Sequence, residues 1–337
     1  MKGLEILHYS SVAEANLAAN NLARVVYSET ELKFAQNDQI KEQWFYDYIL
    51  VLKAGKQLAG AAVYLNPKIK YNNNKVLFIG NFESIDNADA VKALISTIES
   101  IAKNKGINFI IGPMNGSTWN NYRFSITDRF PPFFSEPYHH FYYNVLFEKA
   151  GFVSIADYVS NISQKFNHDS KEVLEATKRF VNAGIKFRNV DMMNFENDIR
   201  AIFDLSLDAF KNNFLYSPTS WENFRDKYLR FQNMIKPEHI IIAEDEHVCV
   251  GFIFGFEDFY NSVDKVFIIK SMARDKDRKY KGLGTVLGDK IIKMAYESGY
   301  STLIHALIFV DNKSNIISGK YSGKEYVRYK LYGKSLW

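Results

Sequence analysis

Between residues 274 and 284 the chain reads RDKDRKYKGLG: five cations against two carboxylates, closing on two glycines one residue apart. An apolar run, KVFIIKSMA, precedes it and reads as a strand. The periodic segment GTVLGDKIIKMAYESG follows and reads as a helix stopped by Gly299. Strand, basic glycine loop and helix together suit an anion. A helix N-terminus presents unpaired N–H groups at the positive end of its dipole, and glycine lets the backbone approach a phosphate closely. The loop contains no GxxxxGK[ST] stretch, so a Walker loop is excluded. Glycines 282, 284 and 288 lie too far past the strand end for a dinucleotide fingerprint.

Other reactive side chains point to less. His139 and His140 are adjacent and face apart on most backbones. With no HExxH pattern and no cysteine beside them, no metal site is expected. His305 stands mid-strand between Leu303 and Leu307, as a structural histidine would, though it stays a candidate base. Cys249, the single cysteine, lies in HVCVGF without a basic neighbour and reads as core. Ser117 lacks a GxSxG elbow, which leaves serine hydrolysis unsupported.

The elements that must position these groups read in two parallel series. In the C-terminal half they run strand, two helices, a hairpin turning at EDEH, the strand before the glycine loop, a helix and a strand. Asn197 or Asp198 is the expected cap of the first of those helices. The N-terminal half repeats the order, with a hairpin turning at AGK, and NHDSKEVLEATKRFVNAG reads as a connecting helix. The expectation is a mixed α/β (α+β) protein of two domains, 1–165 and 166–337, each a mostly antiparallel sheet flanked by helices. A 337-residue chain fits two cores. A net charge of +4 is too mild for a nucleic-acid surface, and 47% hydrophobic residues make a globular composition. Glu5 interrupts what would be a signal peptide's apolar region, and no apolar run reaches 18 residues. A cytoplasmic protein with no membrane or nucleic-acid partner, monomeric or homodimeric, is expected.

The stretch KSMARDKDRKYKGLGTVLGDKIIKMAYESGY resembles motif A of the GNAT superfamily of acyl-CoA-dependent N-acyltransferases, with Lys279, Gly282 and Gly284 on its [Q/R]xxGx[G/A] signature. Lys279 stands where arginine or glutamine is usual. The resemblance implies tandem GNAT-like domains. It also implies a coenzyme A pyrophosphate held by Met272, Ala273, Arg274, Lys279, Tyr280, Lys281, Gly282, Leu283, Gly284 and Thr285. Asn312 matches the asparagine after the next strand, and Gly323 the glycine after the last short helix. The tyrosine usual in that helix as general acid falls on Gly319, which moves the expectation to Tyr321. The acceptor is expected where the two central strands part, beside His305. In the N-terminal half, ESIDNADAV carries Glu83, Asp86 and Asp89 and no glycine, so its carboxylates are expected to cap the helix and repel a pyrophosphate.

The segments GPMNGSTWNNYRF and PPFFSEPYHHFYYNVLFEKAGF resemble a tandem-domain bacterial group of the same superfamily. They read either as an acceptor-binding lip of Asn115, Ser117, Trp119, Asn121, Tyr138 and His139 or as a loop packed by its own aromatics. The implied activity is transfer from acetyl-CoA or another acyl-CoA to an amine, small molecule or peptide, held between the halves. Two alternatives stay open. One is an aminoacyl transferase of the peptidoglycan-crosslinking type; the other is a non-catalytic ligand-binding GNAT-fold protein.

Overall fold

The computed structural model describes residues 3–35, 39–261, 263–310, 319 and 323–336. They form two compact units, the first made of residues 1–158, 215–217 and 327–337, the second of 159–214 and 218–326.

The first unit opens with β1 (Leu4–Tyr9), α1 (Val12–Val26), α2 (Glu29–Leu32), β2 (Phe45–Lys53) and β3 (Lys56–Tyr64). A small ribbon, β4 (Lys70–Tyr71) and β5 (Asn74–Lys75), precedes β6 (Leu77–Ser84), α3 (Ala88–Asn104) and β7 (Phe109–Gly112). Then come β8 (Phe124–Ser125), α4 (Tyr142–Lys149) and β9 (Val153–Ser163), whose last five residues belong to the second unit. Strands β1, β2, β3 and β6 pair antiparallel in succession, and the β2–β3 turn takes Ala54 and Gly55 at positive φ. That is the AGK hairpin read from the sequence. Alternation along the strands sends Ile49, Val51, Ala59, Ala61 and Val63 to one face, where they cluster with Val91, Leu94, Ile95 and Ile98 of α3. On the opposite face Leu22 of α1 comes within 3.1 Å of the position a Cβ would take at Gly60.

The second unit repeats this order. After α5 (Lys171–Asn182) come β10 (Lys186–Asn189), α6 (Phe195–Phe210), α7 (Trp221–Leu229), β11 (Ile240–Asp245) and β12 (Val248–Glu257). They are followed by β13 (Val266–Arg274), α8 (Leu283–Glu297) and β14 (Thr302–Phe309). Strands β10 to β13 pair antiparallel, and β13 pairs parallel with β14. The EDEH turn places Glu246 and His247 at positive φ, and Gly299 ends α8 in the same conformation. The cap of α6 is a correction: it is Asn194, three residues before the expected Asn197. Asp198 instead sits buried in the first turn, gripped by Arg188 through Nη1 at 2.7 Å and Nη2 at 2.6 Å. Arg188 Nε also reaches Glu244 at 2.9 Å, so one guanidinium ties an edge strand to its neighbour and to α6. Arg188→Ala leaves both carboxylates unpaired in a half-buried setting and is expected to lower stability by about 2–3 kcal/mol. A shift of the urea midpoint at unchanged slope reads that loss.

The last strand, β15 (Lys324–Ser335), departs from the repeat. From Val327 onward it belongs to the first unit, pairing antiparallel with β7 from Tyr332↔Gly112 to Ser335↔Phe109. Its Val327, Tyr329, Leu331 and Tyr332 are buried there. No helix among the described residues is long and apolar enough to cross a membrane.

Candidate functional site

Eight residues join β13 to α8, and hydrogen bonds of the chain itself hold them. Asp275 Oδ1 accepts from Asp277 N at 2.7 Å, and Asp277 Oδ1 from Lys279 N at 2.9 Å. The Tyr280 hydroxyl donates to Asp245 at 2.6 Å, and Lys279 Nζ reaches the same oxygen at 2.9 Å. These two bonds, Tyr280's first, hold the Asp245 carboxyl below its usual range. Arg179 Nη2 donates to the Lys281 carbonyl at 2.8 Å.

Gly282, the N-cap of α8, has φ +97°, a conformation costly for any residue with a Cβ. Leu283 and Leu287 then sit so close over β12 that a Cβ at Gly251 would lie 2.9–3.0 Å from them. The helix start is therefore fixed against the sheet, and its first N–H groups lie outside the intrahelical ladder.

The residues expected to hold the coenzyme divide accordingly. Gly282, Gly284 and Thr285 form the turn and first helical residues, while Tyr280 and Leu283 send their side chains into the core. Met272 packs partly against that core, and Ala273 is buried. Arg274 turns back on the loop carbonyl of Asp275, Lys281 is exposed, and Lys279 is mostly exposed apart from its bond to Asp245. Asn312 and Tyr321 lie outside the described residues.

Beside this loop the two parallel strands part. β13 and β14 pair only from Val266↔Thr302 to Ile269↔His305. Next along β13 comes a bulge: Phe254 opposes Ser271 and Gly255 opposes Ile269, leaving Lys270 between them. On β14 the chain turns away at Leu307, φ +60°, whose N–H donates to Ser160 Oγ at 2.9 Å. His305 is therefore the last residue of β14 paired with β13. It is buried, and desolvation lowers its imidazole to about 4, so it is neutral at physiological pH. Its Nε2 has no hydrogen-bond partner among the described residues. Cys249 is half-buried, and burial pushes its thiol up to about 12.

The first unit has the same parting of strands with a different lining. β6 and β7 pair only at Leu77↔Ile110 and Phe78↔Ile111. A bulge follows at Asn81, φ +43°. Its helix start is closed: three residues separate β6 from α3, and Asn87 Oδ1 accepts from Ala90 N at 2.9 Å. The helix cap is thus Asn87 rather than the neighbouring carboxylates. Glu83 instead lines a cavity of about 80 Å³ with Asn115, Asn121, Tyr138 and His139, four of the six residues expected to form a lip.

Within that group His139 is fixed. Its Nε2 accepts from Ser125 N at 2.7 Å, its Nδ1 donates to the His140 carbonyl at 3.0 Å, and burial lowers it to about 4. Tyr138 donates to Glu31 at 2.9 Å. Ser117 and Trp119 are not in the cavity lining: Ser117 is buried, and Trp119 Nε1 donates to the Ser217 carbonyl at 2.8 Å. Trp119 thereby ties residues 215–217 to the first unit. Sequence reasoning missed Glu83 as a cavity residue, because a carboxylate one residue from a strand end carries no local sign of the phenols that will surround it.

Residues 199–317 match the family model for the acetyltransferase (GNAT) family, a segment that runs from α6 through the glycine loop to β14. That segment, about a third of the chain, is similar to the GNAT family. No curated protein matches it. Among solved structures, a GCN5-related N-acetyltransferase from Sphaerobacter thermophilus aligns at 14% identity and TM-score 0.55, over 100% of this chain and 96% of that one. A tandem GNAT protein of the clavulanic acid biosynthesis pathway aligns at 11% and 0.53, over 99% of each. The glucosamine N-acetyltransferase region of a fungal multi-domain β-N-acetylglucosaminidase aligns at 10% and 0.57, where this chain covers 38% of the other. At such identities the likeness is one of fold.

Proposed function

We propose that the protein transfers the acyl group of acetyl-CoA or another acyl-CoA to an amine, with the coenzyme held by the second unit. The observation that carries this reading is the fixed, glycine-opened start of α8 at the end of β13, next to strands that stop pairing at Ile269 and His305. Loop N–H groups there would take the pyrophosphate, with the positive end of the helix dipole behind them. The thioester would enter the gap between the strands, where backbone N–H groups of β13 beyond the bulge can polarise its carbonyl. The acceptor amine attacks as the neutral base: a C–N bond forms, the C–S bond breaks, the amine's proton leaves to a base or water, and the thiolate takes one up. His305, neutral and with an open Nε2, suits acceptance of a hydrogen bond better than storage of a proton, because its imidazolium would be strongly acidic.

The contrast between the helix starts sets a stoichiometry. The start of α3 is capped by its own Asn87, with Asp86 and Asp89 beside it, whereas α8 begins with glycine among cations. Titration with acetyl-CoA is therefore expected to give one site per chain by calorimetry. A count of two would overturn the assignment, as would binding of tRNA in place of acetyl-CoA. Turnover of acetyl-CoA over a panel of amines then tests transfer itself.

A further inference from the structure

The Glu83 cavity lies wholly in the first unit, and the coenzyme reading does not use it. Three features bear on what it holds. The carboxyl stands beyond the point where β6 and β7 stop pairing, so no neighbouring strand covers that stretch of β6 from the β7 side. Buried phenols surround it. Tyr143 donates to Glu83 at 2.7 Å and lies 3.5 Å from the Tyr27 hydroxyl. The Tyr48 hydroxyl sits over Gly60, the residue opposite Glu83 on β3, with no partner among the described residues. The rest of the lining is rich in amides, including Asn20, Gln39 and Asn115, and a volume of about 80 Å³ accommodates a group of a few heavy atoms.

We propose that this cavity binds a small primary amine, its ammonium against the Glu83 carboxylate and its polar body among the amides of Asn20, Gln39 and Asn115. An uncharged polyol would satisfy the amides and leave the carboxylate uncompensated in a desolvated site. A cation satisfies both. This binding needs no acyl donor and stands or falls apart from the transfer reading.

The titration behaviour agrees with the geometry. Burial pushes Glu83 up to about 7, while the hydrogen bonds from Tyr143 and Tyr27 pull the other way. The phenols facing it, Tyr27 after α1, Tyr48 on β2, and Tyr142 and Tyr143 on α4, are all raised above their ordinary value, chiefly by burial. Of the other lining groups, His139 is neutral above about 4 and Tyr138 is raised by burial, with Tyr122 and the Arg123 guanidinium also in the wall. Glu83 is thus the group whose charge changes near neutrality. Amine binding selects its carboxylate form, so affinity is fully present above pH 7 and falls as the pH drops below it.

Ethanolamine, with ethylene glycol as its uncharged match, provides the test on the full-length chain without coenzyme. At pH 8 calorimetry should show one ethanolamine site per chain and no glycol binding. Glu83→Gln, of nearly equal shape, should weaken ethanolamine on the order of 10- to 150-fold. In the wild-type protein, carboxyl-carbon NMR should show ethanolamine moving the Glu83 midpoint downward, a readout independent of how the variant folds. Equal binding of the two compounds, an unchanged midpoint, or no site with a Kd of about 1 mM or tighter would overturn the proposal.

Discussion

Gly284→Val is expected to cut acetyl-CoA affinity by about 10²–10⁴-fold without loss of stability. Gly284 is the second residue of α8, after a left-handed Gly282 that aims the backbone outward and a Leu283 locked into the core. A branched side chain there stands over the N–H groups that would face the pyrophosphate. Two charge-assisted bonds at about 1.5–3 kcal/mol each account for the expected range. Helix propensity runs the other way, since valine is slightly better than glycine inside a helix, so folding should not suffer. Calorimetry beside a thermal melt separates the two effects. Unchanged affinity in a folded variant would remove the loop from the site. Lys279→Ala serves as the mild comparison: its side chain is mostly exposed and already spends its charge on Asp245, so a loss below about tenfold is expected.

The second large effect concerns stability. A chain truncated after Tyr326 loses the whole portion of β15 that belongs to the first unit. That removes the antiparallel partner of β7, leaving it paired only with β6 among the described strands, and takes Val327, Tyr329, Leu331 and Tyr332 out of the core. It also strips the Tyr329 hydroxyl from Glu136, 2.8 Å away, and the Tyr332 hydroxyl from Asn144, 2.9 Å away. Each buried tyrosine alone is comparable to a large-to-small aromatic change of about 3–5 kcal/mol, so the sum meets or exceeds the stability of an ordinary domain. The first unit of the truncated chain is expected not to fold. Amide hydrogen exchange would show protection lost across β2, β3 and β6, and persistence of that protection would refute the expectation.

Much of this architecture was legible because its signals are local. Alternation in KVFIIKSMA, the helical period of GTVLGDKIIKMAYESG and the glycine that ends it each act within a few residues, and β13, α8 and Gly299 lie where they indicate. The same local chemistry marked the EDEH and AGK turns. What escaped depends on partners far along the chain. Asp198 looked like a helix cap, yet its partner is Arg188 on a neighbouring strand. His139 was named as a lip residue, but the backbone bonds of Ser125 and His140 that fix its ring were not readable. The glycine loop was readable because it is one continuous stretch between β13 and α8. The Glu83 cavity was not, because its walls come from α1, residues 39–40, β6 and the segment 113–139.

The pairing of β15 with β7 also bears on synthesis. Residues 327–335 are translated only after the whole second unit, so the first unit cannot close its sheet while that unit is being made. At the usual 5–20 residues per second, the roughly 215 residues from Gly112 to Val327 keep β7 waiting for roughly 10–40 s. During that interval the nascent chain exposes an apolar strand edge of the kind that invites aggregation or chaperone capture. The second unit, although encoded later, can therefore finish first. Expression of residues 1–158 as a separate fragment would leave that edge open permanently.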